Sequence, residues 1–273
     1  MAPTGAQFTS EVAVVIGVGG MGQAIARREG TGRRLVLADF DTASLVRFAD
    51  VLRGEGFDVT TTEVDVADRE SVASVAALAE ELGSVTRVAH TAGVSPAQAS
   101  KDAVLAVDLL GTAFVLAEWE RVIAPGGAGV VISSSSGYFP RLSAEDERAL
   151  AVTPVGELLE LPVVAAVESS EWAYPLSKRA NQLRVQAAAT AWGARGARIN
   201  SISPGIISTP MAQLESASEH GDRMRAMIAA SGTGRIGTTT DIADAAAFLL
   251  SPAASFITGV DLLVDGGVVA AGR

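Results

Sequence analysis

Short apolar runs recur along this chain, separated by amphipathic stretches, and that alternation predicts its architecture. Glu11-Val-Ala-Val-Val-Ile16 and Arg34-Leu-Val-Leu-Ala38 are continuous apolar segments, as expected of strands covered on both faces. Comparable segments near residues 58–64, 85–90, 128–134, 197–202 and 260–264 bring the expected strands to seven. Helical patterns such as Gln23-Ala-Ile-Ala-Arg-Arg28 lie between them. Strand alternating with helix predicts a single α/β domain: a doubly wound, seven-stranded parallel sheet of Rossmann type with helices on both faces. Such sheets keep ligands at the carboxyl ends of the strands, where the winding reverses. Those ends here carry Gly17, Asp39, Asp65, Gly93, Ser134 and Pro204.

The first strand runs straight into Gly17-Val-Gly-Gly-Met-Gly22. Gly17, Gly19 and Gly22 fit G-x-G-x-x-G, with Gly20 and Met21 inside the turn. Missing side chains let the backbone turn tightly and seat a pyrophosphate on the helix N-terminus. Asp39 closes the second strand about 20 residues on, where a carboxylate accepts hydrogen bonds from the adenosine ribose hydroxyls. It would repel a ribose phosphate, and the following Phe40 and Asp41 supply no cation, so NAD is expected over NADP. The plainer use of Asp39 is as a cap for the next helix.

Tyr174-Pro-Leu-Ser-Lys178 sets a phenol and an ammonium one helical turn apart on one face. A nearby lysine favours the phenolate, which suits general acid/base chemistry. By itself the spacing equally suits a surface helix with a half-buried ring and a solvated lysine.

Taken in order, these marks resemble the short-chain dehydrogenase/reductase family over nearly the whole chain. Asp65 and Val66 resemble the segment beside the adenine, and His90-Thr-Ala92-Gly93 resembles the family's Asn-Asn-Ala-Gly turn. Ile132-Ser-Ser-Ser-Ser-Gly137 is similar to the strand end carrying the catalytic serine, which implies Ser134. Tyr174 and Lys178 match the active-site tyrosine and lysine. Pro204, Gly205, Ile207 and Thr209 resemble the loop that closes over the nicotinamide. Arg235-Ile-Gly, Asp241–Leu250 and Thr258–Gly267 are similar to the closing helix and last strand. The resemblance implies hydride transfer between nicotinamide and a secondary alcohol or its carbonyl. Tyr174 would act as acid/base, Ser134 would hold the substrate oxygen, and Lys178 would bind the nicotinamide ribose. It also implies a homodimer or homotetramer. Two other readings remain: an enoyl reductase on the same scaffold, and a dinucleotide-binding regulator without turnover.

Three departures stand out. The family turn reads G-x-x-x-G-x-G, so Gly17, Gly20 and Gly22 make a loop one residue shorter. His90 and Thr91 replace two asparagines, and His90 is expected to be satisfied by backbone. Asp108, in Val107-Asp-Leu-Leu-Gly111, stands where the family has an asparagine whose main-chain carbonyl orders a relay water. Asp108 would keep that role while altering the electrostatics of Lys178. Residues 140–170 also read as an insert between Ser134 and Tyr174. Ser143 starts one expected helix, and Thr153-Pro-Val-Gly-Glu-Leu-Leu-Glu160 offers a second, stopped by Pro162. Leu158, Leu159, Leu161, Val163 and Val164 make it apolar on at least one side. It is expected to cover the substrate mouth or a partner subunit, ahead of folding back on its own core.

Composition narrows the partners. With 21 Lys plus Arg against 31 Asp plus Glu, net charge is −10, which argues against nucleic acid or an anionic membrane surface. Having no cysteine rules out disulfides and a thiolate nucleophile or metal site, and no metal is expected. The first ten residues lack the regions of a signal peptide and no apolar run is long enough to span a bilayer, so a cytoplasmic location is expected. Tyr138, Phe139, Trp172, Ile206, Ile207, Met211 and Leu214 suggest an apolar mouth for a bulky alicyclic or steroid-like alcohol.

Overall fold

A computed structural model of the chain describes residues 10–97, 99–210, 212–213 and 221–272. Its centre is one parallel sheet of seven strands: β1 (Glu11–Ile16), β2 (Arg34–Asp39), β3 (Asp58–Glu63), β4 (Ser84–His90), β5 (Ile123–Ile132), β6 (Arg198–Pro204) and β7 (Asp261–Val264). Their order is β3-β2-β1-β4-β5-β6-β7, so the winding reverses between β1 and β4. Strand side chains alternate between faces. Ala13 and Val15 of β1 pack with Ile25, Phe48 and Ile242 on one side. Val12, Val14 and Ile16 pack with Val75, Trp119 and Trp192 on the other. Both faces are therefore dry, which explains the unbroken apolar runs.

The helices that position the site are α1 (Gly20–Glu29), α2 (Thr42–Gly54), α3 (Arg69–Leu82), α4 (Lys101–Val104), α5 (Thr112–Val122), α6 (Ala144–Val152), α7 (Pro162–Ala165) and α8 (Ser170–Ala194). A π-helical turn, Leu105–Gly111, joins α4 to α5. Such turns are strained relative to an α-helix and gather at functional sites. Asp108 lies in this one.

β5 begins at Ile123, well before the expected 128, because Pro125-Gly126-Gly127 mimics a loop while Ile123 already pairs with Val85. It ends at Ile132, leaving Ser134 just beyond the strand. In segment 140–170, Ser143 caps α6 as expected, its hydroxyl accepting the Asp146 N–H at 3.0 Å. The second expected helix is a 3-10 turn, Val155–Glu160. Pro162 opens α7 instead of stopping a helix, because proline at the first helical position has no N–H to waste.

Part of the segment folds back on its own core, the least favoured of the three expected placements. Leu150, Leu158, Val164 and Val167 are buried against Leu105, Leu109, Leu176 and Ala180. Leu159 turns outward. Arg184 of α8 donates from Nη1 to the carbonyls of Leu150 and Thr153, each at 3.0 Å. Arg179 reaches Glu147 through Nε at 2.9 Å.

Candidate active site

Gly17 ends β1 with φ +94°, a conformation that favours glycine, and a Cβ there would lie 2.5 Å from the Ala92 nitrogen. At Gly22 a Cβ would meet the Gly17 carbonyl oxygen at 1.9 Å. Gly19 has open space where its Cβ would be. It also caps α1 without a side-chain hydrogen bond, so the first N–H groups of that helix face the cleft unmasked. This fits a pyrophosphate, despite a turn one residue shorter than the family pattern.

The cleft measures about 620 Å³ and its walls include Gly17, Gly19, Gly20, Met21 and Gly22. Asp39, Asp65, Val66, Ala92, Gly93 and Thr209 complete the sequence-based set found there. Asp39 is not the helix cap; Asp41 is, accepting the Ala43 and Ser44 N–H groups. The Asp39 carboxylate receives the Val18 N–H at 2.5 Å and the Asp41 N–H at 2.8 Å, which fixes it at the cleft wall. Asp65 is oriented by the Ala67 N–H at 2.9 Å.

Sequence reasoning missed Phe40, Thr91, Val94, Ala103 and Val107 on the same walls. Ala103 and Val107 are one helical turn apart, a spacing that could have revealed them. Ser134, Tyr174, Lys178, Pro204, Gly205 and Ile207 are not among the described walls of this cleft. The Ile207 side chain belongs to the hydrophobic core. Its bridge to Gly237 uses the Ile206 carbonyl and the Ser208 N–H, leaving the N–H and C=O of Ile207 itself for other partners.

α8 carries Tyr174 and Lys178, and Pro175 between them removes one backbone donor from the helix beside the phenol. The helix is locked to the ends of β5 and β6. Ser133 donates its hydroxyl to the Lys178 carbonyl at 2.8 Å, and Gln182 Nε2 donates to Ser203 Oγ at 2.9 Å. Ser134 Oγ accepts the Ser136 N–H at 3.1 Å. The Lys178 ammonium lies 5.3 Å from the centre of the Tyr174 ring.

Lys178 Nζ donates to Asp108 Oδ1 at 2.7 Å, and both side chains are buried. Asp108 Oδ2 accepts the Val94 N–H at 3.3 Å. Gly93 must be glycine beside this pair, since a Cβ would sit 2.6 Å from Asp108 Oδ1. Burial disfavours the Lys178 ammonium, but the Asp108 charge and Tyr174 outweigh it and raise its pKa. Burial also pushes the Asp108 carboxyl up, against Lys178 and the Val94 N–H. Both shifts favour the protonated form, which keeps Lys178 charged but works against the Asp108 carboxylate. Both carboxylate oxygens accept hydrogen bonds from N–H donors, and that geometry supports the ionised pair.

As expected, the Asp108 carboxylate bears on the electrostatics of Lys178, which it touches directly, while its carbonyl accepts the Thr112 hydroxyl at 2.9 Å. The expectation that His90 is satisfied by backbone needs correction. Its Nε2 lies 3.2 Å from Thr112 Oγ1, and its buried Nδ1 has no partner among the described residues. Because Thr112 spends its proton on Asp108, its oxygen accepts from His90, which sets the Nε2–H tautomer. Burial first, then the Lys178 charge, lowers the His90 pKa to about 3, so it stays neutral.

Of the expected mouth residues, Met211 and Leu214 lie outside the described residues. Tyr138 turns away, donating its hydroxyl to Asp261 Oδ2 of β7 at 2.7 Å. Phe139 and Trp172 remain half-exposed.

A parallel sheet whose winding reverses beside a glycine cradle places the chain among dinucleotide-binding oxidoreductases. A family model described as enoyl-(acyl carrier protein) reductase matches residues 17–144 and 142–269. The chain is 41% identical over 263 residues to the short-chain dehydrogenase/reductase bsc3 of Alternaria brassicicola, covering 94% of this chain and 95% of that one. It is 32% identical to the galactitol 2-dehydrogenase (L-tagatose-forming) of Cereibacter sphaeroides, with 93% of each covered. Among solved structures, a short-chain dehydrogenase/reductase (glucose/ribitol dehydrogenase) from Brucella melitensis aligns with a TM-score of 0.75 at 26% identity, covering 96% of this chain and 97% of that one. The chain belongs to the short-chain dehydrogenase/reductase family, an oxidoreductase acting on CH–OH donors with a nicotinamide dinucleotide. No helix among the described residues is long and apolar enough to cross a membrane.

Proposed function

We propose that this protein is an NAD-dependent dehydrogenase/reductase interconverting a secondary alcohol and its carbonyl, with Tyr174 as general acid/base. The observation that carries the reading is the Tyr174–Lys178 pair, 5.3 Å from ring centre to ammonium, with buried Lys178 beside Gly93 at the wall of the glycine-lined cleft. The dinucleotide, when bound, supplies the hydride acceptor or donor at its nicotinamide ring. Tyr174 takes the alcohol proton in oxidation and returns it in reduction. Ser134 accepts one backbone N–H and so keeps its own O–H to donate to the substrate oxygen. Lys178 spends one of its three N–H bonds on Asp108, leaving two for the nicotinamide ribose hydroxyls. Gly205, Pro204, Thr209 and the main chain of Ile207 close over the nicotinamide side. Gly17–Gly22, Asp39, Asp65, Val66, Ala92 and Gly93 hold the rest.

The substrate is a small-molecule, largely apolar alcohol or ketone, in keeping with Phe139 and Trp172 half-exposed near Ser134 and Tyr174 in the sequence. We place the protein in the cytoplasm as a homodimer or homotetramer. An activity screen with secondary alcohols, ketones and enoyl thioesters tests the reading. Turnover of the first two supports it. Reduction of enoyl thioesters alone favours the enoyl reductase named by the family description, and binding without any turnover favours a regulator.

The cofactor preference has its own test. Asp39 presents a fixed carboxylate where a ribose phosphate would lie, and like charge there costs affinity. The protein should bind NAD(H) at least about tenfold more tightly than NADP(H), and Asp39→Ser should narrow that gap. Calorimetric titration of both dinucleotides decides, and equal or tighter NADP(H) binding by the parent protein removes the assignment.

A further inference from the structure

We propose that Asp108 is an electrostatic positioning residue: it cancels the Lys178 charge, keeps Tyr174 a phenol at neutral pH, and so poises the site for carbonyl reduction. The direction rests on the alcohol–carbonyl reading above; the electrostatics do not.

The geometry separates this site from one built around a lone ammonium. An uncompensated lysine beside a phenol lowers the phenol's pKa, because phenolate and ammonium attract. Here Lys178 Nζ forms a direct ion pair with Asp108 Oδ1 at 2.7 Å and lies 5.3 Å from the centre of the Tyr174 ring. Asp108 is fully buried and Lys178 nearly so, so water screens the pair little. Seen from Tyr174, the pair approaches a neutral dipole.

Among the described residues, the charged or titratable groups flanking the site are engaged elsewhere or carry no positive charge. His90, at the end of β4, is held neutral by burial. Arg179, next along α8, is drawn to Glu147 of α6. Glu168 and Glu171, ahead of Tyr174, are exposed and of the wrong sign. Asp261 of β7 takes the hydroxyls of Tyr138, Ser201 and Ser203. From β5 and the turn after it, Ser133 to Ser136 add only hydroxyls.

In reduction the carbonyl carbon takes hydride from the reduced nicotinamide, which is thereby oxidised. The Tyr174 O–H bond breaks as the substrate oxygen gains that proton, and solvent reprotonates the phenolate. This half of the cycle starts from the phenol, the form that a compensated Lys178 leaves in place.

The chain has two tyrosines, so Tyr138→Phe leaves Tyr174 as the sole phenol, and its ionisation can be followed by tyrosinate absorbance without turnover. In that background, Asp108→Asn and Asp108→Ser should each lower the Tyr174 midpoint by about one to two pH units, as expected for a unit charge unmasked a few ångströms away. Lys178→Met should move it little, because the stranded Asp108 takes up a proton and no net charge is lost. An unchanged or higher midpoint in the Asp108 variants overturns the proposal, as does a rise of several units in Lys178→Met. Should both Asp108 variants unfold, the Lys178→Met arm decides alone. For the enzyme itself, the acid limb of kcat/KM for alcohol oxidation should fall with Asp108→Asn by the same interval, and a limb that stays in place counts against it. If absorbance shifts as expected but no alcohol or ketone is turned over, the electrostatic role stands and the reaction assignment fails.

Discussion

Tyr174→Phe should reduce turnover by about 10²- to 10⁴-fold, the usual worth of a positioned acid/base, while dinucleotide affinity changes by less than about threefold. The separation follows from where the ring sits. Tyr174 packs at the margin of the cluster formed by Leu105, Leu109, Leu176 and Ala180, and phenylalanine keeps that packing. Only the O–H is lost. The glycine turn, Asp39 and Asp65 lie on other elements and are untouched. Steady-state rates on any substrate the parent turns over, set beside calorimetric dinucleotide binding, check both halves. Near-parental rates in Tyr174→Phe would remove the phenol from the proton path.

Features carried by local pattern were legible in the sequence. The apolar runs of β1 and β2 could only be strands buried on both faces, and Gly17-Val-Gly-Gly-Met-Gly22 at the end of the first of them placed the cradle. The place of Asp39 on the cleft wall was legible from its distance along the chain, and its rival use as a cap disappears because Asp41 takes the Ala43 and Ser44 N–H groups. What local pattern could not supply was partner choice between distant residues. The direct Asp108–Lys178 contact joins positions 70 residues apart, and Tyr138 finds Asp261 across 123. His90 was misjudged for the same reason, since Thr112 is a neighbour only through the packing of α5 on the sheet. The start of β5 was hidden by Pro125-Gly126-Gly127, an irregularity between Ile123, which pairs with Val85, and Ala128, where regular pairing resumes opposite Arg87.

The segment between Ser134 and Tyr174 shows the same limit, because an amphipathic pattern tells that a face is covered but not by what. Leu158→Ala and Leu150→Ala should each destabilise the protein by about 2–5 kcal/mol, the range for removing a buried leucine side chain and leaving a cavity. Both side chains are fully buried, enclosed by the π-helical turn and α8. Leu159, at 42% exposure, is the matched control, and Leu159→Ala should stay within about 0.5 kcal/mol. The contrast between adjacent residues distinguishes core from cover. A flap over the substrate mouth would show small losses at all three positions together with raised KM, whereas a piece of the core shows large losses at two and little change in KM at the third. Because the same cluster contains Leu176 and Ala180, on the helix that carries Tyr174 and Lys178, Leu158→Ala should also loosen that helix and lower kcat before the protein unfolds. Urea unfolding with kinetics well below each transition would measure both effects. Equal stability of Leu158→Ala and Leu159→Ala would mean that the segment does not pack against α8 as described.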